Sequence, residues 1–209
     1  MKLLDVYRKL YSEFGPQHWW PADNELEVII GAILTQNTSW KNVEKAIKNL
    51  KPISLSKMRS ISRKELENRI RSSGFYKQKA ERIKAIVKLL DKYSIETLKS
   101  MPVDKVRQLL LSVKGIGKET ADSILLYALG KGIFVVDAYT KRIFNRLGFD
   151  ISGYEEVRKF VETNLPANYY NEFHALLVKL AKEYCRKKPN CRKCPLKSYC
   201  SFYKQHYKE

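Results

Sequence analysis

Apolar residues recur at steps of three and four along most of the chain, and that period leaves room for little but helix. Ala80, Ile83, Val87 and Leu90 form one such stripe, and Val106, Leu109, Leu110 and Val113 another. Ala121, Ile124, Leu125 and Ala128 repeat the pattern, as do Phe173, Leu177 and Leu180. Glu25 to Gln36 is apolar nearly all round, the mark of a helix buried on most faces. Pro16, Pro21, Pro52, Pro102 and Pro166 punctuate these segments, with Gly15, Gly74, Gly115, Gly117, Gly148 and Gly153. Only Ile133-Phe134-Val135-Val136 looks strand-like, too short and solitary for a sheet. The expectation is an all-α fold of about a dozen short helices with a loop-rich basic C-terminus.

Charge narrows the partner. The 209 residues hold 40 Lys+Arg against 22 Asp+Glu, a net +18, and the 44% apolar content supports a core rather than a disordered tail. Spread over a folded chain, such an excess points to a polyanion, because each neutralised phosphate releases counterions. A basic protein of thermophile type is the bland alternative. A membrane surface fits less well, since the charge is not gathered on one terminal amphipathic helix. The longest apolar runs, such as Val28 to Leu34, fall far short of the roughly 18–20 residues a span needs. With no signal-peptide core at the N-terminus, a cytoplasmic location is expected.

All four cysteines lie in one 16-residue window, Cys185-x5-Cys191-x2-Cys194-x5-Cys200. Four thiolates so close together suit a [4Fe–4S] cubane. Zinc sites with four cysteines more often pair two Cys-x2-Cys knuckles, and two disulfides require an oxidising compartment. The same loop carries Arg186, Lys187, Lys188, Arg192 and Lys193, a basic surface that a ligated loop would hold toward phosphates.

Three further motifs stand out. Lys114-Gly115-Ile116-Gly117-Lys118 joins two amphipathic helices. Its glycines allow a backbone to approach an anion closely, and an ordinary tight helix connection is the plain alternative. Asp137 precedes a helix, where it reads as an N-cap or as a carboxylate aimed from a helix start. All three tryptophans, Trp19, Trp20 and Trp40, flank small polar motifs; core filling is their default role, base stacking the alternative. His18, His174 and His206 form no ligand-spaced set and read as ordinary residues.

Together these residues resemble the helix-hairpin-helix DNA glycosylases of the endonuclease III superfamily. The order runs Thr35-Gln36-Asn37-Thr38, Gly74-Phe75-Tyr76 with Lys79-Ala80, Gly115-Ile116-Gly117, Val136-Asp137, then the cysteine loop. The resemblance implies two helical lobes with a DNA cleft between them. Residues 21–133 would form a six-helix lobe ending in the hairpin; residues 1–20 with 134–209 would form the lobe holding the cluster loop, 185–200. It also implies Asp137 as the catalytic carboxylate, Gln36 filling the gap left by an extruded nucleotide, and Phe75 wedging the opposite strand. Lys114, Gly115, Gly117, Lys118 and the basic cysteine loop would contact the backbone of a damaged double-stranded DNA, bound by a monomer.

One departure bears on the reaction. Bifunctional members carry a lysine nucleophile two residues after the second hairpin glycine, where this chain has Glu119. The neighbouring Lys118 points about 100° away around the helix. Without an amine at that place there is no Schiff base, so the resemblance implies a monofunctional glycosylase. The motifs with Trp19-Trp20-Pro21 are closest to the bacterial 3-methyladenine DNA glycosylase III group, in which the positions of Trp20 and Trp40 line the base pocket. The cysteine loop departs from that group, and its first gap is one residue shorter than in endonuclease III. The expected reaction is hydrolysis of the N-glycosidic bond of an alkylated purine such as 3-methyladenine. Removal of oxidised pyrimidines or mismatched thymine and uracil, with or without lyase activity, is a second reading. A non-catalytic DNA-binding module is a third.

Overall fold

A computed structural model describes residues 2–207. Among the described residues there is no β-strand; the strand-like Ile133–Val136 carries no regular secondary structure. The α-helices are α1 (Leu3–Phe14), α2 (Glu25–Leu34), α3 (Trp40–Leu50), α4 (Leu55–Ser60), α5 (Arg63–Arg69), α6 (Tyr76–Lys92), α7 (Ile95–Ser100), α8 (Val103–Leu111), α9 (Lys118–Ser123), α10 (Ala138–Leu147), α11 (Tyr154–Asn164), α12 (Tyr170–Glu183) and α13 (Ser201–His206). A π-helical turn, Ile124–Ala128, continues α9. The chain divides into two compact units, one spanning Trp20–Lys131 and the other joining the segment up to Trp19 to everything from Gly132 onward.

The unit Trp20–Lys131 is built around α2. Asn24 caps that helix by accepting from the Glu27 N–H at 2.9 Å, and every residue from Leu26 to Leu34 is buried. Helices α3, α6 and α9 and the π turn pack against it, as an all-round apolar helix requires. Helices α8 and α9 are braced by a buried ion pair. Arg107 donates from Nε (2.7 Å) and Nη2 (3.0 Å) to the two oxygens of fully buried Asp122.

Four lysines of this unit sit on carbonyls where helices end. Lys57 reaches Leu50, Lys84 reaches Met58 and Ile61, Lys131 reaches Lys99 and Met101, and Lys79 reaches Leu34 and Ser73. Cations favour such ends because the unpaired carbonyls carry the negative pole of the helix. A share of the positive charge that composition assigned to a polyanion therefore serves the fold.

In the other unit α12 packs against α1 and α10. Phe134 and Phe173 meet at 5.9 Å in its core, and Phe144, Phe149 and Phe160 form a second aromatic group. Helix α10 ends at Gly148, whose φ of 94° suits glycine. A Cβ there would also run into Ser201, whose hydroxyl donates to the Leu147 carbonyl at 3.0 Å.

Candidate active site and cluster loop

Asp137 caps α10. Its Oδ1 accepts from the Thr140 N–H at 2.7 Å and the Thr140 hydroxyl at 2.8 Å. Its Oδ2 lies 3.6 Å from His174 Nε2, on α12. Burial works to raise the carboxyl's pKa, but the His174 ring and the two Thr140 donors outweigh it, so the group is held below the usual carboxylate range. Both readings of Asp137, as a cap and as an ionised carboxylate, are thus compatible in one residue. His174 departs from its reading as an ordinary residue. It is 7% exposed and faces the acid that sequence singled out as the candidate catalytic carboxylate. No spacing rule links a residue on α12 to the start of α10; the only cue was a polar side chain in the apolar stripe of Phe173, Leu177 and Leu180.

The hairpin follows α8. Ile116 is buried as its anchor, while Lys114, Gly115, Gly117, Lys118 and Glu119 are exposed. Gly115 has a φ of 87°, and a Cβ on it would strike the Arg82 side chain, so glycine is required twice over. Arg82 also donates to Gln36 Oε1, while Gln36 Nε2 donates to the Gly115 carbonyl (3.2 Å) and Thr120 Oγ1 (2.8 Å). Gln36 is therefore moored to the hairpin, an arrangement its sequence position did not reveal. Phe75 is presented in the opposite manner. It is 60% exposed with a left-handed φ of 47°, directly after Gly74.

Trp20 and Trp40 meet edge to face at 5.4 Å, with planes 81° apart, and Tyr127 from the π turn lies 5.5 Å from Trp20. Gly31 leaves room for the Trp20 ring, which a Cβ would approach to 3.1 Å. Both indoles line a hollow of about 270 Å³ with Glu27, Glu44, Lys48 and Lys51. Trp40 Nε1 donates to Glu44 at 2.8 Å. Trp19 does not share this hollow; it lines a separate one of about 120 Å³ with Gln17, Ala175 and Lys179. The two tryptophans that sequence had grouped thus line different hollows.

All four cysteines are free thiols and line one small hollow with Arg146 and Phe202. Among the described residues no three His, Cys, Asp or Glu side chains converge as on a single metal ion. Burial, and secondarily the neighbouring thiols, push Cys194 up to about 11 and raise Cys191 as well. Thiols crowded in this way would ionise together only around a shared cation, so the donor set fits a metal cluster. Helix α10 grips the loop. Arg142 Nε donates to the Cys185 carbonyl (2.9 Å), and Arg146 donates to Cys185 Sγ (3.3 Å) and the Arg186 carbonyl (2.7 Å). Lys187, Lys188, Arg192 and Lys193 are exposed on the loop. Arg186 is exposed too, but its guanidinium donates to the Glu183 carbonyl at the end of α12.

Residues 30–167 match the HhH-GPD superfamily of base excision DNA repair proteins. The chain belongs to that superfamily. A protein named "Putative DNA repair glycosylase MJ1434" from Methanocaldococcus jannaschii is 48% identical over 206 residues, covering 93% of this chain and 94% of the relative. The H. pylori 3-methyladenine DNA glycosylase MagIII, bound to 1,N6-ethenoadenine, superposes with a TM-score of 0.78 at 32% identity, covering 87% of this chain and 98% of that one. Endonuclease III trapped as a covalent intermediate on DNA gives 0.84 at 25% identity, covering 99% and 97%. This HhH-GPD protein is accordingly a base-excision-repair DNA glycosylase, all-helical as its apolar period predicted. No helix of the described residues is long and apolar enough to cross a membrane.

Proposed function

We propose that this glycosylase is monofunctional and hydrolyses the N-glycosidic bond of alkylated purines such as 3-methyladenine in double-stranded DNA, working as a monomer. The observation that carries this reading is the hollow walled by Trp20 and Trp40, about 270 Å³ and roomier than a purine ring system. Their perpendicular planes offer a base one stacking face and one ring edge. A cationic methylated base gains about 0.5–2 kcal/mol from such a face, depending on desolvation. Glu27 and Glu44 in the same hollow add negative charge, offset in part by Lys48 and Lys51. MagIII, which is similar to this chain, binds 1,N6-ethenoadenine, itself a modified purine.

A cationic purine is already a good leaving group, so the sugar needs chiefly a negative charge as its oxocarbenium character grows. Asp137 supplies it, kept ionised by Thr140 and His174, and orients or deprotonates the attacking water. Glu119 stands where a lyase lysine would, so no amine is offered to the anomeric carbon and the strand stays intact. Gln36 and Phe75 probe the duplex from two loops, the amide filling the vacated space and the phenyl wedging the stack. Lys114, Gly115, Gly117 and Lys118 hold the backbone, as do Arg186, Lys187, Lys188, Arg192 and Lys193. Cys185, Cys191, Cys194 and Cys200 would hold a [4Fe–4S] cluster, which would stiffen the basic loop.

Three measurements test this. Free 3-methyladenine should be released from methylated DNA, and Asp137→Asn should slow release by about 10²–10³-fold. Borohydride should trap no covalent adduct; an adduct, or release of oxidised pyrimidines alone, would overturn the reading. The purified protein should show a yellow-brown visible band, and a colourless zinc protein would remove the cluster.

A further inference from the structure

Lys79 is fully buried, and the proposed chemistry makes no use of it. Its Nζ donates to the carbonyl of Leu34 at 2.8 Å and to that of Ser73 at 2.6 Å. Leu34 is the last residue of α2, and Ser73, also fully buried, ends the 3₁₀ turn Arg71–Ser73. One atom therefore closes two segments that lie far apart in sequence. Gln36 follows the first of these carbonyls by two residues, and Phe75 follows the second by two. Burial, and then the Arg82 guanidinium, lower the ammonium's pKa to about 8, so its place in the core is costly and the two carbonyls are what retain it. Phe75 is costly too, since a non-glycine residue in left-handed backbone with an exposed phenyl persists only where its surroundings enforce it.

We propose that Lys79 is a positioning residue that ties the Gln36 loop to the Phe75 turn, so that the two side chains enter DNA as one unit. This rests on the reading of Gln36 and Phe75 as DNA probes. A clamp on the carbonyl two residues before each probe ties their backbones together whichever way either side chain turns. Gln36 can leave its moorings on Gly115 and Thr120 without loosening that tie, because the lysine holds backbone rather than side chain.

The test is equilibrium binding of the full chain to two duplexes, one undamaged and one carrying a tetrahydrofuran abasic site. Gln36→Ala, Phe75→Ala and their combination are made in the native and Lys79→Met backgrounds. In the native background the combined loss of affinity for the abasic duplex should fall short of the product of the single losses by about five-fold or more. In the Lys79→Met background the losses should multiply, while affinity for the undamaged duplex stays unchanged. A purely structural lysine would lower melting temperature and both affinities together but leave the coupling intact, and that result overturns the proposal. Lys79→Gln is carried in parallel, so that a folding defect in Lys79→Met does not decide the matter. Should Gln36→Ala and Phe75→Ala leave abasic binding untouched, the probe reading falls and takes this one with it. If they weaken it but coupling survives at position 79, only the clamp falls.

Discussion

Asp137 combines two tasks that compete in most proteins. As a cap it needs its donors; in the proposed reaction it would need to stay ionised beside a developing cation, and the Thr140 and His174 contacts suit both ends. Its pKa is held below the unfolded value, so the stability it contributes is complete above about pH 4 and disappears only as the pH falls through the folded value. Thermal melts should therefore show native protein and Asp137→Asn converging only below about pH 4. His174→Phe should move that convergence to higher pH, because it removes a partner that favours the carboxylate. Convergence already at neutral pH would mean the carboxyl is not held low. Of this pair, Asp137 was legible because a cap is a local event between neighbours in sequence. His174 was not, because only the packing of α12 against α10 brings it there.

At the scale of elements, the hairpin is the clearest case of local signal completed by remote support. Two glycines around Ile116 announce the turn, but its stiffness comes from Arg82 lying against Gly115 and from Arg107 clasping Asp122. Gly115→Ala meets both a left-handed φ and the Arg82 side chain, so a destabilisation of at least about 1–2 kcal/mol is expected by thermal unfolding, with weakened duplex binding. Arg107→Met removes the two-pronged guanidinium contact to the buried Asp122 carboxylate, and a loss of up to about 3–5 kcal/mol is expected. A denaturation midpoint unmoved by Arg107→Met would show that the pair does not brace α8 against α9. Helix α10 joins two functions along one rod. Asp137 starts it, and Arg142 and Arg146 hold the cysteine loop from its later turns. The cysteine spacing made the loop readable from sequence; the arginines that seat it were not, since lysine and arginine everywhere in this chain look alike until their partners are known.

For the whole molecule the central quantity is the net +18 and how it is used. Lysines that cap helix ends inside the unit Trp20–Lys131 are unavailable to phosphates, whereas Lys187 and Lys188 are exposed. Replacing Lys187 and Lys188 by Gln should flatten the salt dependence of duplex binding by about 0.9 in log–log slope for each phosphate left without its cation. Replacing Lys57, Lys84 or Lys131 by Met should leave that slope unchanged and instead lower the melting temperature, each cap contributing about 0.3–1 kcal/mol. Equal slopes for the two sets would show that composition alone governs binding. What the amino-acid order determined unaided is what repeats or closes within a few residues: the helical period, the glycine turn, the aspartate at a helix start, four cysteines in one loop. Tertiary packing alone decided which lysines are consumed by carbonyls, that Trp19 parts from Trp20 and Trp40, that Gln36 is moored to the hairpin, and that a histidine faces the acid. Most of those pairings join segments tens of residues apart, and no local spacing encodes a distance that only the packing of helices creates.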